Sequence, residues 1–416
     1  MPKLYPFKAI RPVKHKVHLV VSKSIESYQP NELKYEWTFN PFSFLRVIKP
    51  GESYPENKIV QTTAFLRTIK STLQQRLAEG IFEKEQQDCF YIYRQSNQEK
   101  SFTGIIALVS VNDYENGKIL IHEQTLTERE EKLMHYLQIC DFNAEPVLMF
   151  HRQDKALEQI MDDICAQNHL YDFSTNDGLR HQVWSISEKE LKEKIDHCFQ
   201  QHENFYIADG HHRSASSVLL SKFKHKHAKP GENTDAFNYF LTAIFSEKEL
   251  KIYDFNRVVT DLNHHYEEDF LELLKENFVV EEKGELEYKP AALHEISLYL
   301  GGYWYKLTIK PHLISSEKAA GTLDAALLTD LVLAPILGIQ DLKTDKRIAF
   351  VNGTKGLKAL QQMVDSGKMK AAFALYPVTM EQLKGVAEEG SIMPPKSTYV
   401  EPKLRSGLLI YNMHQD

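Results

Sequence analysis

"FYIADGHHRSASS", Phe205 to Ser217, sets a short apolar run against an acid, a glycine, two histidines and an arginine, and then a run of small residues. The apolar run has the length and bulk of a buried strand, and the segment from Ser214 onward has helical composition. A strand that ends at Asp209-Gly210 and passes straight into a helix creates a specific environment. The first helical turn carries backbone N–H groups without intrahelical acceptors, and it is the positive end of the helix dipole. Gly210 lets the backbone turn sharply and approach a ligand closely. Arg213 can clamp an oxyanion with two parallel donors, and His211 and His212 can donate to it as well. Asp209 could hold a metal ion or orient a histidine. In the plainer alternative, Asp209 is an N-cap and the histidines are surface residues. Four polar side chains in five residues at such a junction favour an anion site over capping alone.

The rest of the chain sets the context for this junction. At 416 residues it is too long for one core, since single cores rarely grow beyond roughly 250–300 residues. Hydrophobic residues make up 42%, enough to bury two cores, and charged residues at 26% are ordinary. Fifty basic against fifty-seven acidic residues give a net charge of −7, which argues against broad nucleic-acid binding. Cys89, Cys140, Cys165 and Cys198 are scattered, without a CxxC pair, and are expected to be reduced, packed thiols of a cytoplasmic protein. No apolar stretch of about 18 residues occurs, so no membrane span is expected.

Along the chain, Ala64 to Glu79 has helical spacing, with Phe65, Ile69, Leu73 and Leu77 on one face. Cys89–Gln95 and Thr103–Val111 form a plausible hairpin, and KILIHEQT after Asn116-Gly117 is expected to be a strand. LKIYDFNRVV is expected to be a strand too, and Asp261–Phe278 a helix. Strands and helices in no strict alternation imply an α+β fold of mixed α/β type with an antiparallel component. Two regions are expected: 1–260, with the HEQT and ADGHHR motifs, and 261–416, a C-terminal α/β region whose tail MPPKSTYVEPKL returns to the site.

Three further clusters carry functional side chains. His122 and Glu123 are adjacent, so on a strand they would point to opposite faces, and only at a strand end could both converge. The tail holds Lys396, Ser397, Thr398 and Lys403 on a path stiffened by prolines; alone, it would be solvated surface. Asn256-Arg257 closes a strand, where an ordinary edge salt bridge is the simplest expectation.

These stretches occur in one order along nearly the whole chain: PFKAIRP, NPFSFLRV, YIYR, GKILIHEQT, YIADGHHRSAS, Asn256-Arg257 and MPPKSTYVEPKLRSGL. That set resembles the bacterial and archaeal family known as domain of unknown function 1015. Lys132-Leu133 stands where many members place Asp-Arg, and Asn256-Arg257 where many have His-Arg. The DGHHR stretch is also similar to the phosphate-binding motif of the ParB/sulfiredoxin superfamily, which includes the free serine kinases. This likeness implies a ParB/sulfiredoxin-like core with nucleotide phosphates cradled at a helix start.

Three functions compete. The first is a nucleotide-dependent phosphotransferase on a small hydroxyl-bearing metabolite, which the resemblance narrows to free serine or phosphoserine. There Gly210, His211, His212 and Arg213 would bind the phosphoryl group of ATP or ADP, Mg²⁺ would neutralise the nucleotide beside Asp209, and Glu123 would be the general base. Lys396, Ser397, Thr398 and Lys403 would complete the anion pocket. The second is a metal-dependent hydrolase, with His122, Glu123, Asp209, His211 and His212 as ligands. The third is a non-catalytic nucleotide-sensing or nucleic-acid-binding ParB-like protein. In sulfiredoxin-like chemistry a reactive cysteine would be needed, and Cys198, the nearest in sequence, falls in a helix where it is expected to pack. A homodimer is the base-rate expectation for assembly.

Overall fold

The computed structural model describes residues 1–51, 62–314 and 317–413. The chain does not divide at one cut between 260 and 261. One compact unit comprises 1–120, 125–250 and 402–416; the other comprises 121–124 and 251–401.

Unit one is built on a mixed sheet. Its strands in chain order are β1 (Phe90–Ser96), β2 (Ser101–Ser110), β3 (Ile119–Leu120), β4 (Val147–His151), β5 (Tyr171–Ser174), β6 (Arg180–Ile186), β7 (Phe205–Asp209) and β8 (Tyr239–Ser246). They lie in the order β3-β7-β4-β8-β2-β1-β6-β5, with the short strand Leu4–Tyr5 added to β2. The β3/β7 and β4/β8 pairs are parallel and the other pairs antiparallel. Near-continuous apolar runs such as FYIY and FLTAIF suit strands buried on both faces. Helix α1 (Thr127–Cys140) and helix α2 (His211–His227) pack against each other. A smaller four-stranded sheet joins Phe82–Lys84, Ala9–Pro12, Ile410–Asn412 and Phe142–Asn143. The helix Thr63–Ala78 lies on it through Leu66, Ile69 and Leu73, close to the face expected from spacing.

Unit two is an antiparallel sheet with helices. Its elements include β9 (Lys251–Tyr253), β10 (Phe255–Val259), α3 (Glu267–Asn277), β11 (Phe278–Gly284), β12 (Glu295–Leu300), β13 (Tyr303–Ile309), α4 (Asp324–Leu328), β14 (Ile348–Asn352), β15 (Ala371–Leu375) and β16 (Tyr399–Glu401), with further helices at Gly356–Asp365 and Met380–Glu388. The order is β11-β13-β12-β15-β10-β14, and β9 pairs separately with β16. Alternation along β10 sends Val259 into one apolar layer with Phe270, Leu298 and Phe373, and Val258 into the other with Tyr299 and Trp304. The fold class is thus the mixed α and β one expected. Among the described residues no helix is long and apolar enough to cross a membrane.

Three local expectations need correction. KILIHEQT is a strand only over Ile119–Leu120, paired with Phe205 and Tyr206; at His122 the backbone carbonyl instead accepts from Met393 N–H at 2.8 Å. The helix expected from Asp261 starts only at Glu267. Asp261 Oδ1 accepts from Asn263 N–H at 3.0 Å, and Asn263 and His264 adopt φ of 52° and 68°, so a side-chain turn competes with the helix. LKIYDFNRVV is two strands, broken at Asp254, whose carbonyl accepts from Gly353 N–H at 2.8 Å.

Candidate anion-binding site

The sequence-predicted residues fall into two groups, one in each unit. In unit one, β7 ends at Asp209, Gly210 is the N-cap with φ +99°, and α2 begins at His211. Asp209 therefore precedes the cap instead of serving as it. The first turn of α2 carries no acidic side chain, and no side chain caps it. Arg213 and Ser214 turn their N–H groups to the Gly210 carbonyl at 2.9 and 3.1 Å, and the positive end of the helix dipole falls at this turn. Behind the turn the helix is made of small residues: Ser214 and Ser216 are fully buried, and their hydroxyls bond back to the carbonyls of His211 at 2.9 Å and His212 at 2.5 Å.

Arg213 folds over the cap. The positive φ favours glycine here, and a Cβ on Gly210 would lie 2.9 Å from Arg213 Nε and Nη2, so a side chain would push the guanidinium aside. Arg213 Nη1 donates to the Pro146 carbonyl at 2.6 Å and stands 3.9 Å from Glu145 Oε2. Glu145 Oε1 in turn accepts from Ser406 Oγ at 2.7 Å.

On the other side of the turn, Lys403 Nζ donates to Asp209 Oδ2 at 2.7 Å. Burial works against ionisation of Asp209, but the charges of Lys403, Arg213 and His211 and the Lys403 hydrogen bond outweigh it, and its carboxyl is held well below the usual range. Both partners of this pair are open to solvent, 43% for Asp209 and 35% for Lys403. An ion pair this exposed contributes about 0–1 kcal/mol, so a phosphate can displace it.

The lysine is delivered by a clamped strap. Arg405 Nη2 donates to Asp177 Oδ2 at 2.5 Å and to Thr175 Oγ1 at 3.1 Å, Ser406 pairs with Ser22, and Gly407 N–H donates to the Ala144 carbonyl at 3.1 Å. Thr175 also meets buried His181, which bonds the hydroxyl of Tyr93 at 2.8 Å. Glu145, Arg405 and Ser406 were not found from sequence; nothing local to them marks a partnership with residues so distant in the chain.

In unit two, the HEQT and MPPKST motifs are joined by the Met393–His122 backbone bond. The His122 side chain is buried, and Glu123 beside it is half-buried. Lys396 adopts φ +58°, Ser397 Oγ donates to the Pro394 carbonyl at 2.7 Å, and Thr398 is half-buried. Asp209, Gly210, His211, His212, Arg213 and Lys403 are thus brought together in unit one, and His122, Glu123, Lys396, Ser397 and Thr398 belong to unit two. The five-residue metal set does not form: among the described residues no group of three or more His, Cys, Asp or Glu is placed to hold a metal ion. Cys198 is buried and its thiol is pushed up by desolvation, the opposite of an activated nucleophile.

The family model described as "Protein of unknown function (DUF1015)" matches residues 4–326. The chain belongs to this family. No curated protein matches the DUF1015 chain at a significant level. Among solved structures it is similar to a free serine kinase in complex with AMP, at 13% identity and a TM-score of 0.38, over 73% of this chain and 91% of that one. It is similar also to SbnI with C-terminal truncation from Staphylococcus aureus, at 13% identity and 0.39, over 75% and 90%. A conserved hypothetical protein from Pyrococcus furiosus follows at 13% and 0.35, over 73% and 95%. Likeness of this degree is no guide to activity, which has to be argued from the site.

Proposed function

We propose that this DUF1015 protein is a nucleotide-dependent phosphotransferase acting on a small hydroxyl-bearing metabolite. The observation that carries this is the uncapped start of α2, with Gly210 at φ +99° between the two cations Arg213 and Lys403. The N–H groups of the first turn would hold phosphoryl oxygens, as helix starts do for anions generally. Arg213 would turn its guanidinium from the Pro146 carbonyl to the same group. Lys403 would exchange Asp209 for a phosphoryl oxygen, freeing that carboxylate.

Phosphoryl transfer asks a protein mainly for positioning and charge stabilisation, which such a cradle supplies. Magnesium would arrive with ATP or ADP and neutralise their phosphates; Asp209 fits as its one carboxylate ligand, and a site made of protein groups alone is not supported by the donor set. Glu123 is the proposed general base and His122 its neighbour; their support is the sequence motif. Free serine or phosphoserine is the finer form of the proposal and rests on the resemblance of the DGHHR segment. A cytoplasmic homodimer completes it.

The test is calorimetric titration with ADP, ATP and phosphate, with and without Mg²⁺, followed by an assay for phosphorylation of free serine. Arg213→Ala should abolish binding and leave the fold intact. If this variant binds normally, the site assignment is wrong. Binding without turnover of any hydroxyl-bearing metabolite would favour the nucleotide-sensing alternative.

A further inference from the structure

Where β12 turns into β13, the sheet of unit two ends at a cleft of about 310 Å³ that is open to solvent. Its polar lining comes from Thr260, Glu267, Asp365, Lys370 and the Gly301-Gly302 turn. Phe270 and Leu274 seat α3 on one apolar layer of the sheet, and Leu360 seats the helix Gly356–Asp365 on the other. Glu267, the first residue of α3, and Asp365, the last of its helix, therefore reach the cleft from opposite faces of the sheet. Gly301 and Gly302 adopt φ of 60° and 91°, as a two-residue hairpin turn requires. A Cβ on Gly301 would collide with Glu267 Oε2, so the glycine lets that carboxylate lie against the turn.

The charges of the lining do not balance. Glu267 pairs with Lys370, which commits the lysine and leaves Asp365 as the net charge. Asp365 Oδ1 accepts from the Tyr299 hydroxyl at 2.7 Å, and among the described residues no cation lies within ion-pair distance of it. It also closes a helix that has no basic residue in its last turn, at the end of the dipole that favours a cation. An anion would thus meet two carboxylates and no uncommitted cation. A bare metal ion is not supported either: among the described residues no group of three or more His, Cys, Asp or Glu is placed to hold one. An ammonium brings its own donors, and Asp365 Oδ2, Glu267 Oε2 and the Thr260 hydroxyl, which donates to Asp261 Oδ2 at 3.1 Å and keeps its lone pairs, offer three acceptors. Aromatic faces add to this attraction. Tyr266 and Tyr303 adjoin Glu267 and Gly302 in sequence and are 81% and 41% exposed. Tyr305 shares Tyr303's face of β13, and its hydroxyl is pushed up by burial and by the charges of Glu282 and Glu267.

We propose that this cleft binds a small aliphatic primary amine, its ammonium held by Asp365 and Glu267 and its carbon chain lying on Val364 and Met369. Those two side chains line the cleft and pack on the layer of Tyr299 and Trp304. The volume falls at the small end of the range for metabolite sites, roughly 300–1,000 Å³. Such an amine is charged at neutral pH, as a lysine is. The site is contained in unit two, suits an effector, and does not depend on the phosphate cradle at α2.

The experiment is a thermal-shift titration of the full chain at fixed pH and ionic strength with putrescine and ethanolamine. Tetramethylammonium, which has the charge but no N–H, and potassium are the contrasting probes. At least one of the two amines should raise the melting temperature saturably, and neither contrasting probe should. The titration midpoint should rise about fivefold in Asp365→Asn, and the response should vanish when Glu267→Gln is added. In Lys370→Met the midpoint should fall, because Glu267 loses its internal competitor. Should Asp365→Asn fail to fold, Lys370→Met carries the test, and an unchanged or higher midpoint there overturns the site. No saturable response to either amine overturns it too, as does a response that survives in the double variant. An equal response to tetramethylammonium or potassium overturns the primary-ammonium assignment. Loss of the amine response in Arg213→Ala would move the amine to α2 and defeat the proposal, whereas failure of nucleotide binding would bear only on the α2 reading.

Discussion

Asp209 and Lys403 lie 194 residues apart in sequence, yet their side chains meet at 2.7 Å across the start of α2. Because the pair is partly open to solvent, its value is in placing a cation beside the turn and less in holding the fold together. Lys403→Met should therefore change unfolding free energy by less than about 1 kcal/mol. Phosphate or ADP binding should weaken about tenfold, near 1.4 kcal/mol. Urea unfolding and calorimetry measure the two separately; a large loss of stability with unchanged affinity would make the lysine structural. The Asp209 carboxyl is depressed in the folded state, so the pair's small contribution is present above the unfolded value near 4 and fades as pH falls toward the folded one.

Gly210→Ala tests the turn itself. At φ +99° any side chain is strained, and a Cβ would meet the Arg213 guanidinium at 2.9 Å. The expected loss is about 1–2 kcal/mol of stability, seen in the urea midpoint. Displacement of Arg213 should lower phosphate affinity at the same time. An unchanged affinity would show that Arg213 is not part of the cradle.

Glu123→Gln separates chemistry from binding. If Glu123 is the general base, nucleotide affinity should be retained while turnover falls by about 10²–10⁴-fold. Single-turnover kinetics with radiolabelled ATP would show this. A fall in affinity equal to the fall in rate would count against the role.

Two buried histidines predict sensitivity to mild acid. His181 is pulled down to about 3 by burial and the nearby Arg405 charge, and His151 to about 4 by burial and His202. Both stay neutral in the folded state below pH 6.5, where the unfolded chain takes up protons. Stability is thus complete above about 6.5 and lost as pH falls, by up to roughly 1.4 kcal/mol per pH unit for each group. Urea midpoints between pH 7 and 5 should fall steeply, and less so in His181→Gln. A flat profile would mean that these rings are protonated in the fold.

Arg405→Ala would leave Asp177 without its buried partner and release the strap that carries Lys403. The expected loss is about 1–3 kcal/mol, because Arg405 is buried and its bonds are charge-assisted but Asp177 is exposed. Chemical denaturation gives the value directly; a loss below 1 kcal/mol would show that the strap is held by its backbone contacts to Ser22 and Ala144.

The sequence by itself determined the strand, turn and helix at 205–227, because their causes are local. The apolar run, the one glycine and the small residues after Arg213 lie within thirteen positions. The same holds for the helix Thr63–Ala78, whose apolar spacing is its packing face. Where two local preferences competed, spacing misled: the Asx turn at Asp261 displaced a helix start, and Leu120 ended a strand that composition would have continued. Only the tertiary structure decided which charges face one another. Arg213 meets Pro146 across 67 residues and Asp209 meets Lys403 across 194, pairings fixed by sheet order and the path of the strap. Burial of Arg257 was equally invisible, since its strand gains neighbours on both sides from residues about a hundred positions away. Local periodicity encodes an element's face; which element covers that face depends on how distant segments pack.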